Sequence, residues 1–319
     1  MLLLTLLACD TGPDYGPFTT MIRAHRKTLE IRPCDGTVVK ELAIGLRDAL
    51  AYEEALQVYR DYEAACEARE AYVLMEHMEL AKDQGKLEEA VGAAKMLSEQ
   101  DPDNDVFVEQ YIDLLIESGK PGEAIPLLQK AFWANYKQTD KLLTLAKAQE
   151  DAGLTCDAMA SWTQLWWVSH DHRGEAAVGQ ERLDPGCPGV MLKEEGTVKQ
   201  DPAEEGYWRF DVALNTKDML LGLDSSAPLT YISTETFEGI EGATLIAEGV
   251  TMKAGTGILM GDVYRVETAR VGTVEVKHVD VLVVPKVEAG LDGFMGTNLG
   301  GRMKMREKTK KQWTLKPPE

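Results

Sequence analysis

The residues of this chain best suited to chemistry lie in one short stretch, residues 221–233. A single acid, Asp224, stands between an apolar run and a turn of small residues, and a second apolar run begins at Leu229. Apolar runs bounded by turn residues predict strands. The pattern therefore places one carboxylate, a group able to take or give a proton, at the mouth of a tight loop between packed strands.

A second patterned stretch, residues 291–302, follows later in the chain. Its second residue is an acid, Asp292, and glycines and an asparagine follow. Between the two stretches, residues 274–285 are rich in β-branched side chains. Such composition predicts a strand that leads into the second stretch.

Together these features resemble the retropepsin-like aspartic proteases. Their active-site pattern is two apolar residues, Asp, Thr or Ser, Gly, then Ala or Ser. This chain matches it at Asp224, Ser225 and Ala227, while Ser226 replaces the glycine. The resemblance extends from residue 207 to about residue 315. It implies an all-β protease domain over residues 207–319.

The second stretch is similar to another motif of this family, which precedes a short helix. In that motif an apolar residue is followed by Asp and Gly, then by an apolar residue and Leu or Ile, and then by Gly, any residue, and Asp or Asn. The matching residues are Asp292, Gly293, Gly296 and Asn298. The resemblance implies that Asp292 has a structural part.

The resemblance also implies a reaction, the hydrolysis of peptide bonds by two carboxylates that share one proton. Two like charges a few ångströms apart cannot both ionise, so one acts as the base and the other as the acid. This chain offers one such acid, and the site would need Asp224 from each of two chains in a homodimer. The Ser225 hydroxyl could then brace the facing loop. No cofactor is implied.

Ser226 leaves two interpretations open. Glycine at this position lets two loops approach each other without a Cβ. With serine there, the domain is either an active endopeptidase with a peptide or protein substrate, or a degenerate copy that kept the fold and lost the reaction. In the second case the protein would be a non-catalytic, protein-binding scaffold.

Two further segments of this domain predict hairpins. Residues 249–261 are rich in glycine, which indicates turns. By its place this segment is similar to the family's flap over the substrate, although an ordinary cluster of β-turns fits equally well. From Arg302 onward, methionines alternate with basic residues, which predicts a terminal hairpin with a basic, solvated face.

The region before residue 173 has a helical period and repeats itself. Two residue types recur every 34 positions: Gly85, Gly119 and Gly153, and Ala90, Ala124 and Ala158. The glycines would end first helices at positive φ, and the alanines would let second helices pack closely. A period of 34 resembles tetratricopeptide repeats. Residues 36–172 are therefore predicted to form an α-helical solenoid, a fold that binds protein partners.

The first nine residues resemble a bacterial lipoprotein signal. An apolar run ends in Leu6-Leu7-Ala8-Cys9, which fits the lipobox, so residues 1–9 would be the signal and Cys9 would carry lipid. The resemblance implies a lipid-anchored protein of the cell envelope, facing the periplasm or the outside. A frayed apolar N-terminus is the alternative. Glycine and proline content predicts linkers over residues 10–35 and 173–206.

The other cysteines are four in number, which permits two disulfides. We favour Cys34–Cys66 and Cys156–Cys187, because each pair would staple one end of the helical region. Four unpaired, buried thiols are equally compatible, since sequence does not determine connectivity. Disulfides would require an oxidising compartment.

Charge is distributed unevenly along the 319 residues. The formal net charge is −19, and nearly all of it lies before residue 207. Segments of such different charge indicate separate domains. The acidic balance argues against a nucleic-acid partner, because phosphate binding needs clustered Lys and Arg.

Aromatic residues gather towards the end of the helical region: Trp133, Tyr136, Trp162, Trp166 and Trp167. Apolar stripes at helical spacing are usually core, and a groove for a partner peptide is the alternative. His170 and His172 flank Asp171, but alternating residues at a helix end rarely converge on one ion. We interpret them as polar surface and predict no metal site.

Overall fold

The computed structural model describes residues 13–135, 137–190, 194–201, 208–255, 257–287, 290–309 and 312–317. Cys9 and Tyr136 lie outside the described residues. The chain forms two compact units, Met1–Gly119 and Lys120–Glu319. Helices precede strands along the chain. This confirms the predicted fold class, a helical repeat region followed by a β-rich domain.

The first unit is built from paired helices, each of which buries one apolar face. Its described helices are α1 (Thr19–Ile31), α2 (Gly36–Asp48), α3 (Tyr52–Ala65), α4 (Ala71–Asp83), α5 (Leu87–Gln100) and α6 (Asp105–Glu117). The pairs α2–α3 and α4–α5 pack side by side. Side-chain caps begin two of these helices, where Asp35 accepts from the Val38 amide and Asn104 from the Val106 amide.

The 34-residue spacing has the structural meaning expected of it. The left-handed backbone that ends a helix occurs at the three spaced glycines, with φ of 69° at Gly85, 76° at Gly119 and 76° at Gly153. The spaced alanines Ala90, Ala124 and Ala158 are fully buried. Both results confirm the predicted register of the repeats.

Residues 10–35, predicted to be a linker, contain helix α1 instead. Apart from Pro33, the glycines and prolines of this segment end at Pro17, and the helix begins shortly after it. Ile22 is fully buried, and a Cβ on Gly45 of α2 would collide with the Met21 side chain. A helix therefore forms here because α2 offers a glycine against which it can pack closely.

Both favoured disulfides are present, which confirms the pairing. The Cα atoms of Cys34 and Cys66 lie 5.7 Å apart, and those of Cys156 and Cys187 lie 5.2 Å apart. The first bond joins the residues before α2 to the end of α3. Closing a loop of this length stabilises the fold by about 3–4 kcal/mol in the chain-entropy account.

A buried histidine joins three helices of the first unit. The side chain of His77 is 2% exposed, and its Nδ1 and Nε2 lie 2.6 Å and 2.8 Å from carboxylate oxygens of Glu63 and Glu89. Arg60 donates from Nε to the same Glu89 oxygen at 2.8 Å. Burial alone would lower the pKa of His77, but the two glutamates outweigh it and raise the pKa above its ordinary value.

Stability of this unit is expected to depend on pH through His77. Because the folded pKa is raised, the stabilising contribution is complete below about pH 6.5, the unfolded value, and is lost as pH rises through the folded pKa. Thermal melts followed by helical circular dichroism should therefore show a lower midpoint at pH 9 than at pH 6. His77→Asn should flatten this slope relative to wild type, and the exposed His170→Asn should not. An unchanged slope in His77→Asn contradicts the assignment.

The second unit begins with helices that continue the repeat. They are α7 (Pro121–Ala134), α8 (Thr139–Asp151), α9 (Thr155–Val168) and α10 (Arg173–Leu183). Trp133 and Trp162 are buried, which supports the core interpretation of these aromatics. A Cβ on Gly179 of α10 would collide with the Trp162 ring. The predicted linker over residues 173–206 is thus wrong at its start, because a glycine on α10 lets that helix cover Trp162.

A curved sheet follows the helices. Its strands are β1 (Gly196–Asp201), β2 (Arg209–Leu214), β3 (Lys217–Leu223), β4 (Thr230–Ser233), β5 (Thr244–Ala254), β6 (Gly257–Val271), β7 (Val274–Val284), β8 (Gly293–Met295), β9 (Lys304–Thr309) and β10 (Gln312–Lys316). They are ordered β5-β6-β7-β4-β8-β3-β2-β1-β10-β9, and β6 also pairs with β2. Strand β1 shows that the predicted linker is wrong at its end too.

The centre of the sheet interleaves the two motifs found in the sequence. Strand β8 runs parallel to β3 and antiparallel to β4, so it lies between the strands on either side of Asp224. Strand β4 is in turn parallel to β7. Short helices α11 (Thr234–Phe237) and α12 (Thr297–Gly300) follow β4 and β8. The strand of the second motif, β8, therefore pairs with the strands on both sides of the first motif.

Strands β9 and β10 confirm the terminal hairpin, but Arg302 does not belong to its solvated face. Arg302 is only 3% exposed. Its guanidinium donates to the backbone carbonyls of Asn298, Val190, Lys277 and His278. The alternation misplaced it because the strand begins only at Lys304.

None of the described helices is long and apolar enough to cross a membrane.

Candidate active site

The Asp224 carboxylate lies just after β3 and accepts hydrogen bonds on both oxygens. Ser226 donates to Oδ1 from its backbone N–H at 2.9 Å and from its hydroxyl at 2.6 Å. The Tyr231 hydroxyl and the Gly255 N–H donate to Oδ2 at 3.2 Å and 2.9 Å. Four donors therefore fix this carboxylate. Two of them belong to Ser226, and the other two belong to residues further along the chain.

These donors determine the acidity of the group. Partial burial alone would raise the pKa of Asp224, because a desolvated charge is disfavoured. The hydroxyl of Ser226 acts most strongly in the other direction, followed by the Gly255 and Ser226 backbone amides and the Tyr231 hydroxyl, and the net pKa is lowered. Asp224 is thus held as a carboxylate, the form required of a general base.

The second motif holds the loop of the first. Asn298 accepts on Oδ1 from the Thr230 N–H at 2.7 Å and donates from Nδ2 to the Asp280 carbonyl at 2.6 Å. The Thr297 N–H donates to the Ala227 carbonyl at 2.9 Å. Asp224 itself donates from its N–H to the Met295 carbonyl at 3.0 Å. Both ends of the acid loop, residues 224–227, are therefore hydrogen-bonded to β8 and α12.

Asp292 lies away from the Asp224 carboxylate and fills a structural place. Its Oδ2 accepts from the Leu220 N–H at 2.7 Å, and its N–H donates to the Leu220 carbonyl at 3.1 Å. Its own carbonyl accepts from the Ser233 N–H at 3.2 Å. A Cβ on the neighbouring Gly293 would collide with the Tyr231 carbonyl. These contacts let β8 lie between the strands that carry Asp224 and Tyr231.

The four residues of the acid loop differ in their surroundings. Ala227 is fully buried, whereas Ser225 and Ser226 are exposed. The Ser225 side chain makes no hydrogen bond within the described part of the chain. The backbone at Ser226 does not adopt positive φ. Serine therefore fits this turn without strain and adds a donor that glycine lacks.

Sequence reasoning missed two partners of Asp224. Tyr231 is almost fully buried, and its ring stacks on Phe294 at 5.2 Å. A tyrosine in an apolar strand needs a partner for its hydroxyl, and this was the available signal. The Gly255 N–H had none, because a backbone donor leaves no trace in residue type. Gly255 lies at the tip of the β5–β6 hairpin, which confirms the hairpin predicted over residues 249–261. This hairpin is called the flap below.

Ser226 offers a direct test of the geometry. In Ser226→Gly the hydroxyl donor disappears and the backbone donor remains, so the pKa of Asp224 is expected to rise towards its ordinary value. A carbon-13 titration of labelled aspartate carboxyls, with the signal assigned by its loss in Asp224→Asn, measures this. Ser225→Ala is the matched control and should leave the pKa unchanged. A pKa that does not rise in Ser226→Gly contradicts the assigned hydrogen bond.

No metal cluster is found in the described ranges, which hold no group of three His, Cys, Asp or Glu side chains placed to bind an ion. His172, interpreted from the sequence as polar surface, places its Nε2 2.8 Å from Asp140 Oδ1. Asp224 is surrounded by hydroxyl and amide donors, which suit a carboxylate rather than a cation. The chemistry open to this site is therefore proton transfer by a carboxylate.

Comparisons with solved structures find partial similarity to each part of the chain. YrrB, described as a TPR protein with an unusual peptide-binding site, is 17% identical over 54% of this chain and 84% of its own, with a TM-score of 0.36. PilF of Pseudomonas aeruginosa is 20% identical over 54% and 85%, with a TM-score of 0.30. A retropepsin-like aspartic protease from Rickettsia conorii is 15% identical over 39% and 93%, with a TM-score of 0.28.

Family models and curated proteins give no match to this chain. At the identities and TM-scores found among solved structures, its function has to be inferred from its own residues.

Proposed function

We propose that this protein is an aspartic endopeptidase whose active site forms from the Asp224 loops of two chains. The observation that supports it most is the Asp224 carboxylate, which stands at the mouth of a loop fastened by a second motif and faced by a flap. Both oxygens of Asp224 accept hydrogen bonds, and the neighbouring Ser225 and Ser226 are exposed. A second copy would supply the matching acid.

The chemistry follows from pairing the two carboxylates. At close range one proton is shared, so one Asp224 is charged and takes a proton from a bound water while the other, protonated, stabilises the attacked carbonyl. The water oxygen bonds to the carbonyl carbon, and the peptide C–N bond breaks as the carboxyl that took the water's proton passes a proton to the leaving amine. Substrates are peptides or proteins, and no cofactor takes part. The hydroxyl of Ser225 would brace the facing loop.

The helical repeats would bind a protein partner or present a substrate. In the first unit, α1, α2 and α3 enclose a groove of about 540 Å³. Its walls are apolar at Leu29, Val39, Leu42 and Val58, with charged side chains at the rim. Grooves between paired helices are common sites for peptides in such solenoids. A protein partner on the repeats therefore remains part of the proposal.

Location in the cell envelope rests on two features. The lipobox at Cys9 would place a lipid anchor at the start of the mature chain, and the two disulfides suit an oxidising compartment. The protein would then face the periplasm or the outside of the cell. Expression of Cys9→Ser tests this: it should leave the membrane fraction, and equal fractionation with wild type contradicts the anchor.

A second candidate function is a non-catalytic, protein-binding scaffold with a degenerate protease domain. Ser226 favours it, because the serine stands where the family has glycine and its Cβ would face a second loop. In that case the Asp224 loop would be a relic of an active site. The repeats would then carry the whole function.

A peptide-library digest decides between the two. The wild type should cleave at acid to weakly acidic pH, with a bell-shaped profile because one acid must be charged and the other neutral. Cleavage should fall on dilution as the dimer dissociates, and Asp224→Asn should abolish it. Asp218→Asn, which changes an exposed carboxylate of the same domain, is the control and should cleave normally. Absence of cleavage by the wild type at every pH and concentration favours the scaffold.

A further inference from the structure

The flap is held by the helices that precede the sheet in the second unit. Strand β5 is the last strand at one edge of the sheet, and α7 packs directly against it. A helix over an edge strand covers backbone groups that would otherwise be open to pairing. We call the paired part of β5 and β6 below the tip the flap stem. Its β5 side therefore packs against the helical repeat.

The other strand of the flap is tied to the repeat by charge. Arg265 of β6 donates from Nη1 to Asp157 of α9 at 2.7 Å, and from Nε to Asp280 of β7 at 2.7 Å. The side chains of Arg265, Asp280 and Asp157 are 11%, 10% and 30% exposed. Hydrogen bonds between charged groups that are largely shielded from water are strong. Arg265 thus joins the flap stem, its neighbouring strand and the helix.

Two other titratable groups face this cluster. His278 Nδ1 lies 3.3 Å from Asp157 Oδ1, and His278 Nε2 lies 3.8 Å from Glu267. His278 has a positive φ of 54°, an uncommon backbone for a residue other than glycine. Burial alone would raise the pKa of Asp157, but His278 and Arg265 lower it. Asp157 is therefore a charged member of the cluster.

We propose that Asp157 is a positioning residue of the Asp224 site: through Arg265 it fixes the flap stem against α9, and so keeps the flap tip at Asp224. The tip contact is the Gly255 N–H on Asp224 Oδ2 at 2.9 Å. In this position the tip occupies an oxygen that a water or substrate would need. The helical repeat thereby controls access to the acid, and a partner that displaces α9 would release the flap.

This inference rests on the proposed function only in treating Asp224 as the catalytic group. Asp157 touches neither substrate nor Asp224 and acts through Arg265 and the hairpin. A purely structural role for Asp157 would change the overall stability alone. A positioning role changes the exposure of the Gly255 amide and the pKa of Asp224 in a folded protein.

Hydrogen–deuterium exchange on the full chain in detergent tests the proposal. In Asp157→Asn the peptide that contains Gly255 is expected to exchange about tenfold faster or more, because a charged hydrogen bond at the stem is lost. Peptides from β7 and β8 should exchange at the wild-type rate. The pKa of Asp224, measured by carbon-13 titration, should rise because one of its donors is lost.

Two variants serve as controls. Asp218→Asn removes the 2.8 Å ion pair to Arg270, which lies on the same strand as Arg265 but is exposed. It should leave the flap tip unchanged. Asp157→Glu keeps the charge and should restore exchange close to wild type. Wild-type exchange at the Gly255 peptide in Asp157→Asn overturns the proposal, and so does equal acceleration in Asp218→Asn.

A measurement on the wild type covers the case in which Asp157→Asn does not fold. At increasing denaturant below the unfolding transition, the Gly255 peptide and the first turn of α9 should open together, before β7. Opening at separate denaturant concentrations overturns the coupling. Neither readout requires peptide cleavage, so a protein that cleaves nothing can still show the coupling. A failed coupling equally leaves the cleavage test of Asp224→Asn unaffected.

Discussion

Gly296→Ala is expected to destabilise the second unit by about 3 kcal/mol, the upper end of the usual cost of overpacking. A Cβ at Gly296 would collide with the carbonyl group of Leu229, and it would lie 2.7 Å from the Thr230 nitrogen. These are backbone atoms of the segment that leads into β4, and they cannot rotate away as a side chain can. Chemical denaturation followed by tryptophan fluorescence measures the loss.

The same change should disturb the acid site. Met295, the neighbour of Gly296, accepts the hydrogen bond from the Asp224 N–H at 3.0 Å. Moving β8 away from β4 therefore moves Asp224, and any peptide cleavage should fall with the stability. The matched control is Gly300→Ala in α12, where the nearest atoms to a Cβ, on Leu223 and Met295, lie 3.7 Å and 3.8 Å away. Equal stability of the two variants would show that Gly296 is not packed tightly against the segment that leads into β4.

Arg302→Met is expected to cost about 3 kcal/mol, because backbone carbonyls would lose their donor in a buried place. Burial of the guanidinium is itself costly, and it lowers the pKa of Arg302 to about 10. Replacing a buried charge by an apolar side chain is often neutral when its partner is removed too. Here the partners are carbonyls of Asn298, Lys277 and His278, which no side-chain substitution removes. The loss therefore outweighs the gain.

Denaturation of Arg302→Met and of Arg306→Met separates the effect of losing hydrogen bonds to buried carbonyls from the effect of replacing an arginine by methionine. Arg306 is exposed on β9, so its replacement should change the free energy of unfolding by less than about 0.5 kcal/mol. If Arg302→Met unfolds at the wild-type denaturant concentration, the carbonyls around Arg302 are satisfied in another way. The variant should also loosen the backbone at Val190, whose carbonyl accepts a hydrogen bond from Arg302 at 3.3 Å.

The sequence by itself determined the features that depend on short-range pattern. A turn glycine recurs every 34 residues because each repeat ends its first helix in the same left-handed backbone, as at Gly119 and Gly153. The β-branched residues over 274–285 placed β7, since such side chains favour strands. Asp224 was found because its loop and flanking strands are contiguous. The four cysteines alone are compatible with other pairings or none, and the folded chain selects Cys34–Cys66 and Cys156–Cys187.

Local composition failed where a distant element changes the outcome. The linker predictions for residues 10–35 and 173–206 depend on glycine and proline content alone. Helix α1 forms because Gly45 offers it a close packing surface, and α10 forms because Gly179 lies against Trp162. Whether a marginal segment becomes a helix depends mostly on the apolar face that it can bury. That face belongs to another part of the chain.

Only the tertiary structure decided which distant groups surround the acid. The donors from Tyr231 and Gly255 come from 7 and 31 residues away, and Asp157 reaches Arg265 across 108 residues. No local period links such positions, because their proximity follows from the way β8 is threaded between β3 and β4 and from the packing of α7 on β5. Residue type supplied the acid at position 224. Its ionisation and its covering flap follow from contacts that only the folded chain can make.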